Sequence, residues 1–412
     1  MTPRRLRRLK VALINSYLAH KQHLLPGSRL TDVVQAARDI VALHGTDPTG
    51  PHISLWARVA GFQREALEDA LYEQRALAKL LCMRVTLHVL PSDQVSLFFQ
   101  AYATHRTRPE AERFKAVLVQ AGLCQEQKVD LFLGNLQRRV LDVLAEKGPS
   151  TVRQINAAVP ELKSKIRHSE GKAYAGEFSI GSYLIPNIVG ARGLLIRARP
   201  RGTWRSTLYE YALLSDWLPG VDLESVTPQE ARTWLVHRYL AAFGPATFDD
   251  MQWWTGFTRG ETKRTFESLK PELEQVTVEG LGDGYWILAD DAQQLRNFAP
   301  PDGPYVFLFP NLDPYIMGYR DRSRFLAPGH RAKLFDRAGN AVPTVWVNGR
   351  VVGVWGQRED GSVTYSLFEQ VGEGERALLE DETRRLSDFL DGEYLPPRFR
   401  TSFTRALERQ TV

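Results

Sequence analysis

Four adjacent residues, His44-Gly45-Thr46-Asp47, put an imidazole, a hydroxyl and a carboxylate into one short stretch of chain. A free imidazole titrates near ~6.5 and can orient or deprotonate a water. A carboxylate can stabilise positive charge that develops beside it, and a threonine hydroxyl can only hydrogen-bond. Such a set suits a hydrolysis in which water is positioned next to a cationic centre. The same residues also have a purely structural use. Asp47 precedes Pro48 and can cap the following turn, and His44 can satisfy the end of its own helix.

The elements around this stretch read as mostly helical. Leu30, Val33, Val34, Ala37, Ile40, Val41 and Leu43 recur at helical spacing and end near His44. Leu67, Ala70, Leu71, Ala78 and Leu81 mark a second helical face, and Thr86-Leu87-His88-Val89-Leu90 is a short strand closed by Pro91. Residues 1–130 are expected to form one helical or winged-helix domain that carries the candidate site.

Two later segments share a pattern. Val140 to Ala145 is followed by Gly148-Pro149-Ser150-Thr151 and Val152-Arg153-Gln154-Ile155. Trp234 to Leu240 is followed by Gly244-Pro245-Ala246-Thr247 and Phe248-Asp249-Asp250-Met251. In each, a periodic helix stops at Gly-Pro, because proline cannot continue the hydrogen-bond ladder. Threonine then opens a new helix, with Gln154 or Asp250 placed three residues on to complete a capping box. In the second segment Arg259 to Phe266 supplies a third helix, and Val276 to Val278 with Tyr285 to Leu288 flank a glycine-rich turn. Three helices and a hairpin predict winged-helix units over residues 131–222 and 223–300.

The hairpin of the first unit is basic. Alternation along Leu194 to Arg201 sends Arg197, Arg199 and Arg201 to one face, with Arg192, Trp204 and Arg205 nearby. A cationic hairpin with an aromatic near its turn suits a phosphate backbone or minor groove. The alternative is an edge strand that carries arginines against aggregation. From Pro301 onward, strands are expected at Val306–Phe309, 343–347, 351–355 and 364–367, with Asn348-Gly349 as a hairpin turn. A small β-barrel and an amphipathic helix from Glu373 to Leu390 are expected over residues 301–412.

The chain has 412 residues, 43% hydrophobic and 25% charged, with a net charge of +5. That is the composition of a folded protein of several domains; many basic proteins bind nothing anionic, so where the charge sits says more about a partner than its sum. No apolar run approaches the ~20 residues of a membrane helix, and the basic N-terminus lacks an apolar segment behind it. A cytoplasmic, nucleoid-associated location follows by default. Cys82 and Cys124 form no C-x-x-C pair and the histidines have no H-x-x-x-H spacing, so no metal and no cofactor are expected.

Several motifs in order carry a family resemblance. They are His44 to Pro48, Ile53-Ser54-Leu55-Trp56-Ala57-Arg58, Met83-Arg84-Val85-Thr86-Leu87-His88, and Arg238 to Thr247. Further on come Trp253-Trp254, Asn311-Leu312-Asp313-Pro314-Tyr315 and Val347 to Gly353. Over roughly residues 10–390 the chain resembles the HTH_42 proteins, which include the AlkZ and YcaQ DNA glycosylases that unhook interstrand crosslinks. The resemblance implies an α+β fold of tandem winged helices around a DNA channel, completed by the β-barrel. It also implies excision of alkylated or crosslinked purines from double-stranded DNA, by a protein expected to act as a monomer. The family triplet is Gln-Φ-Gln or Gln-Φ-Asp, where Φ is aliphatic. Here His44-Gly45-Thr46 stands in its place, followed by Asp47, so both polar positions differ.

His44, Thr46 and Asp47 are therefore the catalytic candidates. Cleavage of an N-glycosidic bond needs an oxocarbenium-like sugar to be stabilised and a water placed at its anomeric carbon. An N7-alkylated purine already carries positive charge and leaves without strong acid, so weak polar groups can suffice. The DNA-contact candidates are Arg58, Arg84, His88, Arg192, Arg197, Arg199, Arg201, Trp204, Arg205, Arg320 and Arg322. Each also has a structural alternative: Arg58 can pair with a carboxylate such as Asp47, and Arg84 and His88 can anchor neighbouring elements. Asp313, before Pro314, can close a loop. A duplex-binding regulator or lesion sensor without catalysis is the other reading of the same features.

Overall fold

The computed structural model describes residues 7–102, 107–168, 176–396 and 398–408. The chain forms a mixed α+β fold with two compact units, one of residues Met1–Leu67 with Thr233–Val412 and the other of Glu68–Arg232. Residues 1–130, expected as one domain, thus contribute to both units.

In the discontinuous unit, helix Pro228–Phe243 is followed by strand Ala246–Thr247, helix Phe248–Thr255, helix Arg259–Leu269 and strands Leu273–Val278 and Gly282–Leu288. Thr247 and Asp250 make the reciprocal capping bonds read from the sequence, and Thr258 with Glu261 repeats them on the next helix. Gly256 ends the first of these helices in the left-handed conformation, at φ 72°, where a Cβ would be strained. Strand Gly282–Leu288 pairs antiparallel with both other strands. The N-terminal strand Arg7–Leu9 adds in parallel along Leu273–Val278.

The same unit carries a second sheet of Val306–Phe309, Thr344–Val347, Arg350–Gln357 and Val363–Leu367, antiparallel and in chain order. It is an open meander: its first and last strands do not pair with each other, in place of the closed barrel expected. Asn348 and Gly349 turn between its middle strands with φ 49° and 73°. Beneath it Trp346 packs against Phe307, Phe309, Tyr315 and Phe325, with ring centroids 4.9–5.5 Å apart. Burying each such ring contributes roughly 1.5–3 kcal/mol. Helix Glu373–Leu390 packs against both outer strands, Val306–Phe309 and Val363–Leu367, with Leu379, Leu386 and Leu390 buried.

In the other unit, helix Val129–Lys147 buries Leu133, Leu136, Val140, Val143 and Leu144, spaced three and four apart. Gly148 stops it at φ 70°, and the capping box of Thr151 and Gln154 opens helix Val152–Ala158. A hairpin of Lys165–His168 and Gly176–Ser179 follows, then helical residues 180–192 and strands Leu195–Pro200 and Tyr209–Leu213. Ile155, Ile166, Ile180, Ile185, Val189 and Tyr211 close one core with the helices. Leu77–Cys82, read from its apolar spacing as part of a helix, is instead a strand paired with Thr86–Pro91. Its nearly continuous burial hides the two-residue period that would have marked it.

Candidate active site

Strand Leu43–His44 and helix Gly50–Arg58 bracket the His44–Asp47 stretch. Gly50 sits where a Cβ would lie 3.3 Å from the His44 carbonyl oxygen and 3.9 Å from the Asp47 side chain, so a small residue lets the helix start close under the site. The backbone N–H of Thr46 donates to His44 Nδ1 at 3.4 Å. With Nδ1 accepting, the proton of the neutral ring sits on Nε2.

Asp47 is 7% exposed and its carboxylate is held on both oxygens. Oδ1 accepts the Thr49 backbone N–H at 2.9 Å and the Thr49 hydroxyl at 2.8 Å. Oδ2 accepts the Asn311 side-chain amide at 2.8 Å. Thr49 supplies the turn-capping geometry that the Asp-Pro sequence implied, and Asn311 comes from the far end of the sequence. Sequence reasoning put Asn311 in a motif and gave it no role. Its Oδ1 is buried without a hydrogen-bond partner. Asp47, Thr49 and Asn311 line a cavity of about 50 Å³.

Below the site, Arg58 is fully buried and cannot reach a phosphate. Its Nη1 and Nη2 donate to the two Asp313 oxygens at 2.9 and 2.8 Å, and its guanidinium lies 5.0 Å over the Phe309 ring. Ser54 also donates its hydroxyl to Asp313, and Asp313 closes its own loop by accepting the Tyr315 N–H. Arg58 is therefore a positioning residue whose partner is Asp313 and not Asp47.

Three further DNA-contact candidates are likewise turned inward. His88 is 6% exposed, with Nδ1 bonded to the Thr86 carbonyl. Trp204 is 7% exposed. Arg322 is 5% exposed, lies over Trp253 and Phe335, and donates Nε to the Ile316 carbonyl. In each case the aromatic or aliphatic part of the side chain gains more from packing than from water.

The remaining cations stay at the surface, several of them paired. Arg84 and Arg205 are exposed. Arg192 donates to Gln137, Arg201 pairs with Glu210, and Arg320 pairs with Asp249. Arg197 lies over Tyr209, and Arg199 lies over Tyr72 while pairing with both Glu68 and Glu73. Between these rings Lys79 is buried and donates to the Tyr72 hydroxyl at 2.6 Å. Burial, with Arg197 next in importance, pulls its ammonium down to about 7. No sequence feature singled Lys79 out.

Among the described residues no group of three or more His, Cys, Asp or Glu could hold a metal ion. Among them, too, no helix is long and apolar enough to cross a membrane.

Comparison with known proteins gives a consistent result. An interstrand DNA cross-link repair glycosylase of Streptomyces sahachiroi is 33% identical over 132 residues. These are 31% of this chain and 34% of that protein, so the match spans about a third of the relative's length. The solved structure of Streptomyces sahachiroi DNA glycosylase AlkZ has the same fold, with a TM-score of 0.71 at 21% identity. It covers 92% of this chain and 97% of its own. A family model described as DNA glycosylase AlkZ-like matches residues 37–389, which include the His44–Asp47 stretch, the Arg58–Asp313 pair and the four-stranded sheet from Val306 to Leu367. The chain belongs to the AlkZ-like DNA glycosylase family.

Proposed function

We propose that this protein hydrolyses the N-glycosidic bond of alkylated or crosslinked purines in duplex DNA, with Asp47 as the central catalytic group. The observation that carries the reading is the Asp47 carboxylate. It is buried, fixed by Thr49 and Asn311, and set directly after the position where the resemblance places the family's catalytic triplet. A carboxylate so fixed needs no reorganisation when positive charge develops on the sugar, which is the condition for electrostatic catalysis. His44 orients the water, whose proton passes to the Asp47 carboxylate as its oxygen bonds to the anomeric carbon, and Thr46 adds a hydrogen bond. The cationic purine leaves with its electron pair, so no strong acid is required.

The segments over residues 131–222 and 223–300 act as winged helices in this reading. The surface arginines Arg84, Arg192, Arg197, Arg199, Arg201, Arg205 and Arg320 supply phosphate contacts, and the protein works as a monomer at the nucleoid in the cytoplasm. The test is incubation of the purified protein with duplexes bearing N7-alkylguanine or a crosslink. Release of free base and an abasic site is the expected result, and no release beside a working AlkZ control overturns it. A second reading, a lesion-binding protein without catalysis, is favoured by one observation: three hydrogen bonds already occupy the Asp47 oxygens. It gives duplex binding with no base release.

A further inference from the structure

The cavity at Asp47 has a wall that the family match does not include. The match ends at residue 389, yet Leu395, Pro396, Phe399 and Thr404 line the cavity together with Asp47 and Trp355. The segment is tied down at both ends. Gln357 donates Nε2 to the Gly361 and Glu393 carbonyls and accepts the Leu395 N–H on Oε1, each at 2.8 Å. Further along, the Thr401 hydroxyl donates to the Lys333 carbonyl at 2.9 Å, and Phe403 meets Phe368 edge-on at 5.1 Å. Phe399 lies between the two attachments.

Size decides what the cavity can take. Pockets that hold drug-sized ligands run ~300–1,000 Å³, and a water needs only ~10–15 Å³. At about 50 Å³ the cavity accommodates a few waters and no purine. Its polar groups suit that occupant: the Asp47 carboxylate, and Asn311, whose buried Oδ1 lacks a donor.

We propose that the segment following Leu390 sets the size limit of the Asp47 cavity, admitting water and keeping the damaged base outside, with Phe399 as its specificity-determining residue and Gln357 as the tether. The proposal rests on Asp47 being the reacting carboxylate. It predicts that removing the Phe399 ring lets an aromatic heterocycle enter and changes which adducts are excised.

Two variants test it, Phe399→Ala and Gln357→Met, each checked for folding by circular dichroism. Calorimetric titration with indole and with 7-methylguanine should show no binding to the natural protein and millimolar binding to the variants. Excision of a bulky N7 adduct relative to N7-methylguanine should rise about tenfold in Phe399→Ala. Binding of either heterocycle to the natural protein overturns the size limit. So does a folded pair of variants that neither bind them nor shift the adduct ratio. The binding measurement needs no catalysis, so loss of the glycosylase reading shows separately, as absent base release with the binding result intact.

Discussion

Arg58 and Asp313 form a bidentate ion pair in which neither side chain has any exposure to solvent. The pair joins the last turn of helix Gly50–Arg58 to the loop that also presents Asn311, and Asn311 in turn holds Asp47. A buried pair adds little net stability over an apolar replacement, but removing one partner leaves an uncompensated buried charge.

Asp313→Ala should therefore cost about 3–5 kcal/mol in urea unfolding, more than Arg58→Met with Asp313→Leu together. Equal losses in the single and double variants would show that the loop, not the charge, is what matters.

Asp47→Asn separates catalysis from folding. The asparagine Oδ1 can still accept from Thr49, and its new amide can donate to the Asn311 Oδ1 once that side chain turns over. Stability should fall by less than about 1.5 kcal/mol, while base release should drop by about 100-fold or more. His44→Gln, which keeps a side-chain donor, should retain more activity than His44→Ala. Unchanged release in Asp47→Asn would show that Asp47 is not the catalytic group.

Lys79 makes stability depend on pH. Its native value of about 7 lies below the ~10.4 of an unfolded lysine, so between these values the unfolded chain binds more protons than the native one. Stability from this residue is lowest below pH ~7 and rises as the pH climbs towards ~10. Lys79→Met should flatten that rise in unfolding curves taken across the interval. An equally steep rise in the variant would exclude Lys79 as its source.

Salt dependence sorts the arginines. Each surface arginine that contacts a phosphate should lower the slope of log affinity against log salt by about 0.9 when replaced by alanine. Arg201→Ala and Arg84→Ala are the informative cases, as both side chains are exposed. Arg322→Met should leave the slope as it was, because its guanidinium is spent on Trp253 and Phe335.

What the sequence determined by itself was local. The capping boxes at Thr151 and Thr247 span four residues, and the Asn348-Gly349 turn and helix Glu373–Leu390 follow from backbone preferences that neighbours alone impose. The Asp47–Thr49 cap was legible for the same reason. Only the tertiary structure decided which arginines face solvent. Alternation places a side chain on a face of a strand, but whether that face is covered depends on distant elements. Asp313 reaches Arg58 from 255 positions away, and Asn311 reaches Asp47 from 264. Lys79 lost its water to rings from Tyr72 and Tyr209, one near in sequence and one far. Burial is a property of the packed whole, and with it went the chemistry of these charges: the same residue type is a surface cation at Arg201 and a buried strut at Arg58.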